Sequence, residues 1–201
     1  MTDKLLDYSK LYATGLPSPA GPWEGIYEYN FTTGHGNPDL IPIDDFIESA
    51  TKTLKRSGRN LAIYYSDGGP LGNLELRQFL VEKLAKHRGV SVSVDEIMIT
   101  SGSTQGILLI NDTFLESGDT IITELFSYAG VLRNAERRKV NVIGIPMDED
   151  GMRMDILAST LADLRTKGVK PKYIYTIPTL QNPTGTVMSM ERRKEILRLS
   201  I

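Results

Sequence analysis

From Glu96 onward, segments of strand character and segments of helical spacing take turns along the chain, an order that few folds accommodate. Glu96 to Thr100 reads as a short strand, Thr104 to Leu115 as a helix, Thr120 to Leu125 as a strand and Tyr128 to Arg138 as a helix. Asn141 to Pro146 then reads as a strand, Met154 to Arg165 as a helix with Gly168 beyond it, and Tyr173 to Ile177 as a strand. Met190 to Leu199 closes the series as a helix capped by Ser189. Strands separated by helices can lie parallel only if the helices cover them. The expected fold class is therefore α/β, with a predominantly parallel sheet and helices on both faces.

The chain before this rhythm is built differently. Residues 1 to 43 carry Pro17, Pro19, Pro22, Pro38 and Pro42 with several glycines, which favours an extended N-terminal arm that leans on something else. Phe46, Ile47, Ala50 and Leu54 follow helical spacing between Ile43 and Arg56, and Ser57-Gly58 supplies a stop. A second helix is expected from Leu74 to His87, burying Leu76, Phe79, Leu80 and Leu84 and ending at Gly89.

Charge and composition remove several classes of function. The 23 basic and 25 acidic residues are interspersed, giving a net charge of -2 with no basic face for nucleic acid and no patch for a membrane. The absence of cysteine excludes disulfides, thiolate metal sites and cysteine nucleophiles, and suits a reducing compartment. The first twenty residues contain no continuous apolar run, so a cytoplasmic protein is expected. The sequons at Asn30 and Asn111 are accordingly read as chance. His35 and His87 are far apart and lack the carboxylate spacing of a metal site, so neither is given a catalytic role.

In parallel sheets of this kind ligands sit beyond the carboxyl ends of the strands, and three loops there stand out. Thr100-Ser101-Gly102-Ser103-Thr104-Gln105-Gly106 places small residues and hydroxyls at a helix start, where backbone N–H groups can converge on an anion. Simple capping of the helix by Ser103 or Thr104 is the competing reading. Phe126-Ser127-Tyr128-Ala129-Gly130 brings an aromatic ring to the same edge, either to stack on a flat cofactor or merely to pack. Pro178-Thr179-Leu180-Gln181-Asn182-Pro183-Thr184-Gly185-Thr186 carries Asn-Pro-Thr-Gly, in isolation an ordinary turn. Gly34-x-Gly36 is no dinucleotide fingerprint, because Asp39 stands at the third glycine position.

Taken together, these motifs resemble the class I/II, fold-type I aminotransferases that depend on pyridoxal 5'-phosphate, in particular the aminoadipate, kynurenine and valine-pyruvate transaminase branch. The resemblance covers essentially the whole chain and implies the N-terminal half of that fold. It divides the sequence into residues 1–43, an arm and part of the small domain, and residues 44–201, the N-terminal portion of the large cofactor-binding domain. It implies that Gly102, Ser103 and Thr104 hold the cofactor phosphate, that Tyr128 stacks on the pyridine ring and that Asn182 bonds the phenolic oxygen. One departure is Phe126, which stands where relatives commonly have proline. Tyr65-Ser66-Asp67-Gly68-Gly69-Pro70-Leu71-Gly72, followed by Leu76-Arg77, resembles the segment whose tyrosine reaches the phosphate of the neighbouring subunit, which implies a homodimer with shared sites. Gly34-His35-Gly36-Asn37-Pro38 resembles the segment beside the substrate carboxylate, which nominates Gly36.

The same resemblance places the Schiff-base lysine beyond Ile201, so no catalytic residue is assigned within the chain and the chain alone is expected to be inactive. Lys170, Lys172 and Lys194 stand in no matching context. The expected reaction is amino transfer between an amino acid and a 2-oxo acid. Another fold-type I reaction, such as a lyase or decarboxylase, and a non-catalytic effector-binding domain of a regulator remain the alternatives.

Overall fold

The computed structural model describes residues 8–13, 16, 21–22, 25, 28–29, 36–64 and 67–201. In α1 (Ile43–Ser57), Asp44 and Asp45 occupy the first turn and Lys55 and Arg56 the last, each charge complementing the helix dipole. The α2 helix (Leu74–Arg88) begins where the Asn73 side chain accepts the Leu76 N–H at 2.9 Å. It ends at Gly89, which takes the left-handed conformation (φ 64°) that a side chain would strain.

These helices form where periodicity expects them, but the expected burial differs. Leu76 and Phe79 are exposed, Leu80 and Leu84 are half-buried, and the buried residue of α2 is Arg77. Its guanidinium donates to three backbone carbonyls, from Nε to Gly72 (3.2 Å), Nη1 to Val94 (2.9 Å) and Nη2 to Gly68 (3.2 Å). A cation can be buried this way because each of its three nitrogens finds an acceptor.

The segment from Glu96 to Thr100, expected as a strand, is not one. Val94–Glu96 is a 3-10 turn, in which the Glu96 carboxylate accepts the Ser93 N–H at 2.7 Å. That bond, with the Ser93 hydroxyl, holds the Glu96 carboxyl below its ordinary range. The extended stretch that follows meets a loop, Ile99 donating to the Leu71 carbonyl at 2.9 Å, so it has no ladder to join.

Residues Ser101–Ile201 belong to a second compact unit, distinct from Ser18–Thr100. It contains α3 (Gly102–Phe114), β1 (Thr120–Glu124), α4 (Ala129–Arg137) and β2 (Asn141–Ile145). A short antiparallel pair, β3 (Met147–Asp148) and β4 (Gly151–Met152), is followed by α5 (Met154–Thr166), β5 (Ile174–Tyr175) and α6 (Met190–Leu199). The main sheet has the order β2-β1-β5, all parallel, with Thr120 opposite Asn141 and Thr123 opposite Tyr175.

Position β1 in the middle and its sequence, Thr-Ile-Ile-Thr-Glu, explains itself. β-Branched residues suit a pleated surface, and all five side chains are buried because helices cover both faces. Ile121 packs with Leu115, Ala135 and Val140 toward α4, while Ile122 points the other way into Ile145, Met152, Leu157, Leu164 and Met188. Expected α/β architecture and observed architecture agree here. The hairpin is tied to α6 by Arg192, which grips Asp148 through both nitrogens (Nη2 to Oδ2, 2.7 Å) and donates to the Gly151 carbonyl at 2.9 Å.

Candidate functional site

The site is organised by an acid at the end of the central strand. Glu124 is the last residue of β1 and is 1% exposed. Burying a carboxylate requires donors, and four contacts supply them. Thr176 Oγ1 donates to Oε1 at 2.6 Å, the Ile177 N–H reaches both oxygens at 3.2 and 3.3 Å, and Gln181 Nε2 donates to Oε2 at 2.9 Å.

Through Gln181 this acid reaches the loops on either side. The same Nε2 donates to the Phe126 carbonyl at 2.7 Å, while Oε1 accepts from Thr184 N at 2.9 Å and Thr184 Oγ1 at 2.7 Å. One amide, 2% exposed, thus bonds both the loop after β1 and the loop after β5. The two loops are neighbours because β1 and β5 are paired in parallel, so that their carboxyl ends share one edge.

Asn182 sits in the tightest part of the second loop. The Asn182–Pro183 peptide is cis, Gly185 adopts φ 75°, and Gly185 N donates to the Gln181 carbonyl at 2.6 Å. Arg193 of α6 anchors the loop from below, donating to the carbonyls of Pro178 and Met188 and, at 2.9 Å, to Thr179 Oγ1. Asn182 itself is exposed, so its amide is available to a ligand. Asn-Pro-Thr-Gly is therefore a turn, as its residues in isolation predict, and it is also held on a buried framework.

Tyr128 stands at the N-cap of α4 and is half-buried, its carbonyl accepting the Val131 N–H at 3.0 Å. The ring lies over Gly130, where a Cβ would come within 2.4 Å of Tyr128 Cε1, so the glycine gives the ring its place. Beside it, the Ser127 hydroxyl is buried and has no hydrogen-bond partner among the described residues. Tyr175, on the same strand end, has its phenol pushed up chiefly by burial, with the Glu124 carboxylate and Tyr128 adding to the shift.

The first loop becomes the opening turn of α3. Gly102 takes φ 77°, Ser101 is the N-cap without a side-chain cap bond, and the Ser101 N–H is met by Gln105 Oε1. Ser103 and Thr104 fall within the helix, not at its cap, and both are exposed. The chain leaves α3 through Leu115 and enters β1 at Thr120, and Asn111 in the C-terminal half of the helix accepts the Tyr173 hydroxyl at 2.6 Å just before β5. Positive N–H ends, hydroxyls, an aromatic ring and a free-standing amide suit a flat anionic ligand.

Gly36 is exposed, just before the 3-10 turn Pro38–Leu40 in which Asn37 Oδ1 accepts the Asp39 N–H at 3.0 Å. Tyr65 and His35 lie outside the described residues, and His87 is exposed in the last turn of α2. Among the described residues no cluster of three metal-ligating side chains occurs, and no helix is long and apolar enough to cross a membrane.

Comparison with known proteins shows the family. The family described as aminotransferase class I and II matches residues 28–200. The chain belongs to that family. The chain is 35% identical over 163 residues to aromatic-amino-acid aminotransferase 1 of Thermococcus litoralis, covering 81% of this chain and 38% of that protein. It superposes on the crystal structure of an archaeal alanine:glyoxylate aminotransferase with a TM-score of 0.75 at 39% identity, over 82% of this chain and 40% of the other. It is also 35% identical over 173 residues to the HTH-type transcriptional regulator YisV of Bacillus subtilis, covering 84% of this chain and 32% of that protein. The chain thus spans less than half the length of these relatives.

Sequence reasoning identified the loops but missed what joins them. Glu124, Gln181 and Arg193 were not singled out, although a lone acid closing a β-branched, buried strand at the ligand-bearing end is a readable signal.

Proposed function

We propose that this chain forms part of a pyridoxal-phosphate-dependent aminotransferase that moves an amino group between an amino acid and a 2-oxo acid. The observation that supports this most is the joining of the Tyr128 and Asn182 loops by one buried amide, and the exposed Ser103 and Thr104 stand in the first turn of α3. These residues fit the cofactor: the first turn of α3 offers Gly102, Ser103 and Thr104 to a phosphate, Tyr128 a face to a pyridine ring and Asn182 an amide donor to a phenolic oxygen. When bound, the cofactor supplies an electron sink for charge developing at the α carbon of the amino acid.

The chain's own residues position and polarise. Asn182 donates a hydrogen bond to an oxygen that carries negative charge, and the half-buried Tyr128 fixes the ring's tilt and excludes water from one face. The Ser127 hydroxyl, buried and unpartnered among the described residues, is the polar atom a bound ligand would satisfy. Gly36 is assigned to the substrate carboxylate. Tyr65 is assigned to the phosphate of a second subunit, which makes a homodimer part of this reading. Residues 44–201 are assigned to the large cofactor-binding domain and 1–43 to the arm and small domain. No lysine of the chain is given the covalent role, and a cytoplasmic setting accords with the absence of cysteine.

The similarity to YisV supports one second reading, a regulator's ligand-binding domain with the same cofactor loops and no transfer of its own. Titration with pyridoxal phosphate and with pyridoxal tests the site under either reading. Asn182→Ala should weaken binding of both about tenfold, the worth of one lost hydrogen bond. Replacement of Ser103 and Thr104 by alanine should weaken only the phosphorylated compound. Equal losses for both compounds would refute the phosphate assignment. Amino transfer by the intact protein, followed with an amino acid and a 2-oxo acid, separates enzyme from regulator.

A further inference from the structure

Hydrogen-bond direction around Gln181 is fixed by neighbours that cannot reverse their roles. Glu124, as a carboxylate, can only accept, so Gln181 must turn its Nε2 toward Oε2 (2.9 Å), and the Phe126 carbonyl at 2.7 Å demands the same orientation. That leaves Gln181 Oε1 facing Thr184, whose N–H and hydroxyl both donate to it. Since the Thr184 hydroxyl proton is committed, its oxygen accepts from Thr186, at 2.9 Å from Oγ1 and 3.4 Å from N. The buried acid, the Phe126 carbonyl and the Thr184 N–H thus agree on one polarity through the Asn182 turn.

We propose that Glu124 is a positioning residue, which through Gln181 orients the turn carrying Asn182 for its ligand. The functional part of this claim rests on the reading of Asn182 given above; the structural part does not. A glutamine at position 124 keeps its oxygen on Gln181 Nε2 and the Ile177 N–H and turns its NH2 to the Thr176 hydroxyl, which can accept, so it is the conservative replacement. Methionine keeps the length of the side chain and removes both acceptors.

Residue-resolved hydrogen exchange and NMR on the full chain test this. In Glu124→Met the Thr184 amide should exchange about tenfold faster, the equivalent of one lost hydrogen bond, as should Ile177, while Ile122 and Leu125 keep their protection. Gln181→Met leaves Thr176 and Ile177 on the acid, so it should release Thr184 and spare Ile177. This second variant guards against a first that fails to fold. Addition of pyridoxal phosphate should shift the Asn182 side-chain amide signals in the unsubstituted chain, and less in Glu124→Met, while the shifts of the Ser103 and Thr104 amides persist. Unchanged Thr184 exchange in Gln181→Met, or uniform loosening of Ile122 and Leu125 in Glu124→Met, would overturn the proposal. An Asn182 signal indifferent to pyridoxal phosphate in the unsubstituted chain would instead remove the Asn182 reading, leaving the Glu124 framework to stand or fall on exchange.

Discussion

The two units of the chain use similar helices and reach opposite degrees of burial. In Ser101–Ile201 the apolar stripes of α4, α5 and α6 meet a parallel sheet, and Ile121, Ile122, Val131 and Leu157 are all fully shielded from water. In Ser18–Thr100 the apolar positions of α1 repeat just as regularly, yet Phe46 is 61% exposed and Leu54 57%. What Ser18–Thr100 buries among its described residues is Arg77, whose three nitrogens each donate to a loop carbonyl. Periodicity thus specifies a helix and its apolar face. It does not specify what covers that face.

The contrast is most sharply tested in the cores. Ile122→Ala opens a cavity between β1 and α5 and should cost about 2 to 5 kcal/mol in urea unfolding. Phe46→Ala, on the exposed stripe of α1, should stay within about 0.5 kcal/mol. Comparable losses would mean that α1 is as well covered as the sheet. Next in size is Arg77→Met, which keeps the stem and removes every donor to Gly68, Gly72 and Val94. A loss of about 1.5 to 3 kcal/mol is expected, the worth of a hydrogen bond to a charged group, with faster exchange at Ile99 and Leu74 and none at Ile122.

The same contrast explains what could be read beforehand. The alternation of strands and helices from Thr104 onward was legible because the periods of β1, α4 and α5 match elements that bury one another, whereas α3 keeps Leu109, Ile110 and Phe114 exposed and was legible by spacing alone. Glu96 to Thr100 was misread because strand character alone does not supply a neighbouring strand, and that segment meets the Leu71 loop. Leu76 and Phe79 were expected inside because helical spacing carries no information about a partner. Within the site, Tyr128 and Asn182 stood out by motif. The Glu124–Gln181 link between them joins residues 57 apart in sequence, and no local pattern encodes such a pairing.

A smaller effect concerns acid. Asp155 is held down to about 2 by its hydrogen bonds to Arg153, and Asp148 is likewise lowered, first by Arg192. An unfolded aspartate titrates near 4, so both contributions are complete above about pH 4 and are lost as the pH falls through the folded values. Asp148→Asn should therefore flatten the acid limb of stability for the Ser101–Ile201 unit and leave the α1 and α2 signals unchanged. Added salt should weaken the exposed Arg153–Asp155 pair most.

The central claim is that the sheet edge of the second unit is a pyridoxal phosphate site built on three loops. A crystal structure of the protein with pyridoxal phosphate tests it most directly. The account predicts the phosphate at the first turn of α3 against Gly102, Ser103 and Thr104, the ring on Tyr128, and the phenolic oxygen within hydrogen-bond distance of the Asn182 amide. A cofactor seated elsewhere, or one that leaves Tyr128 and Asn182 untouched, would contradict it.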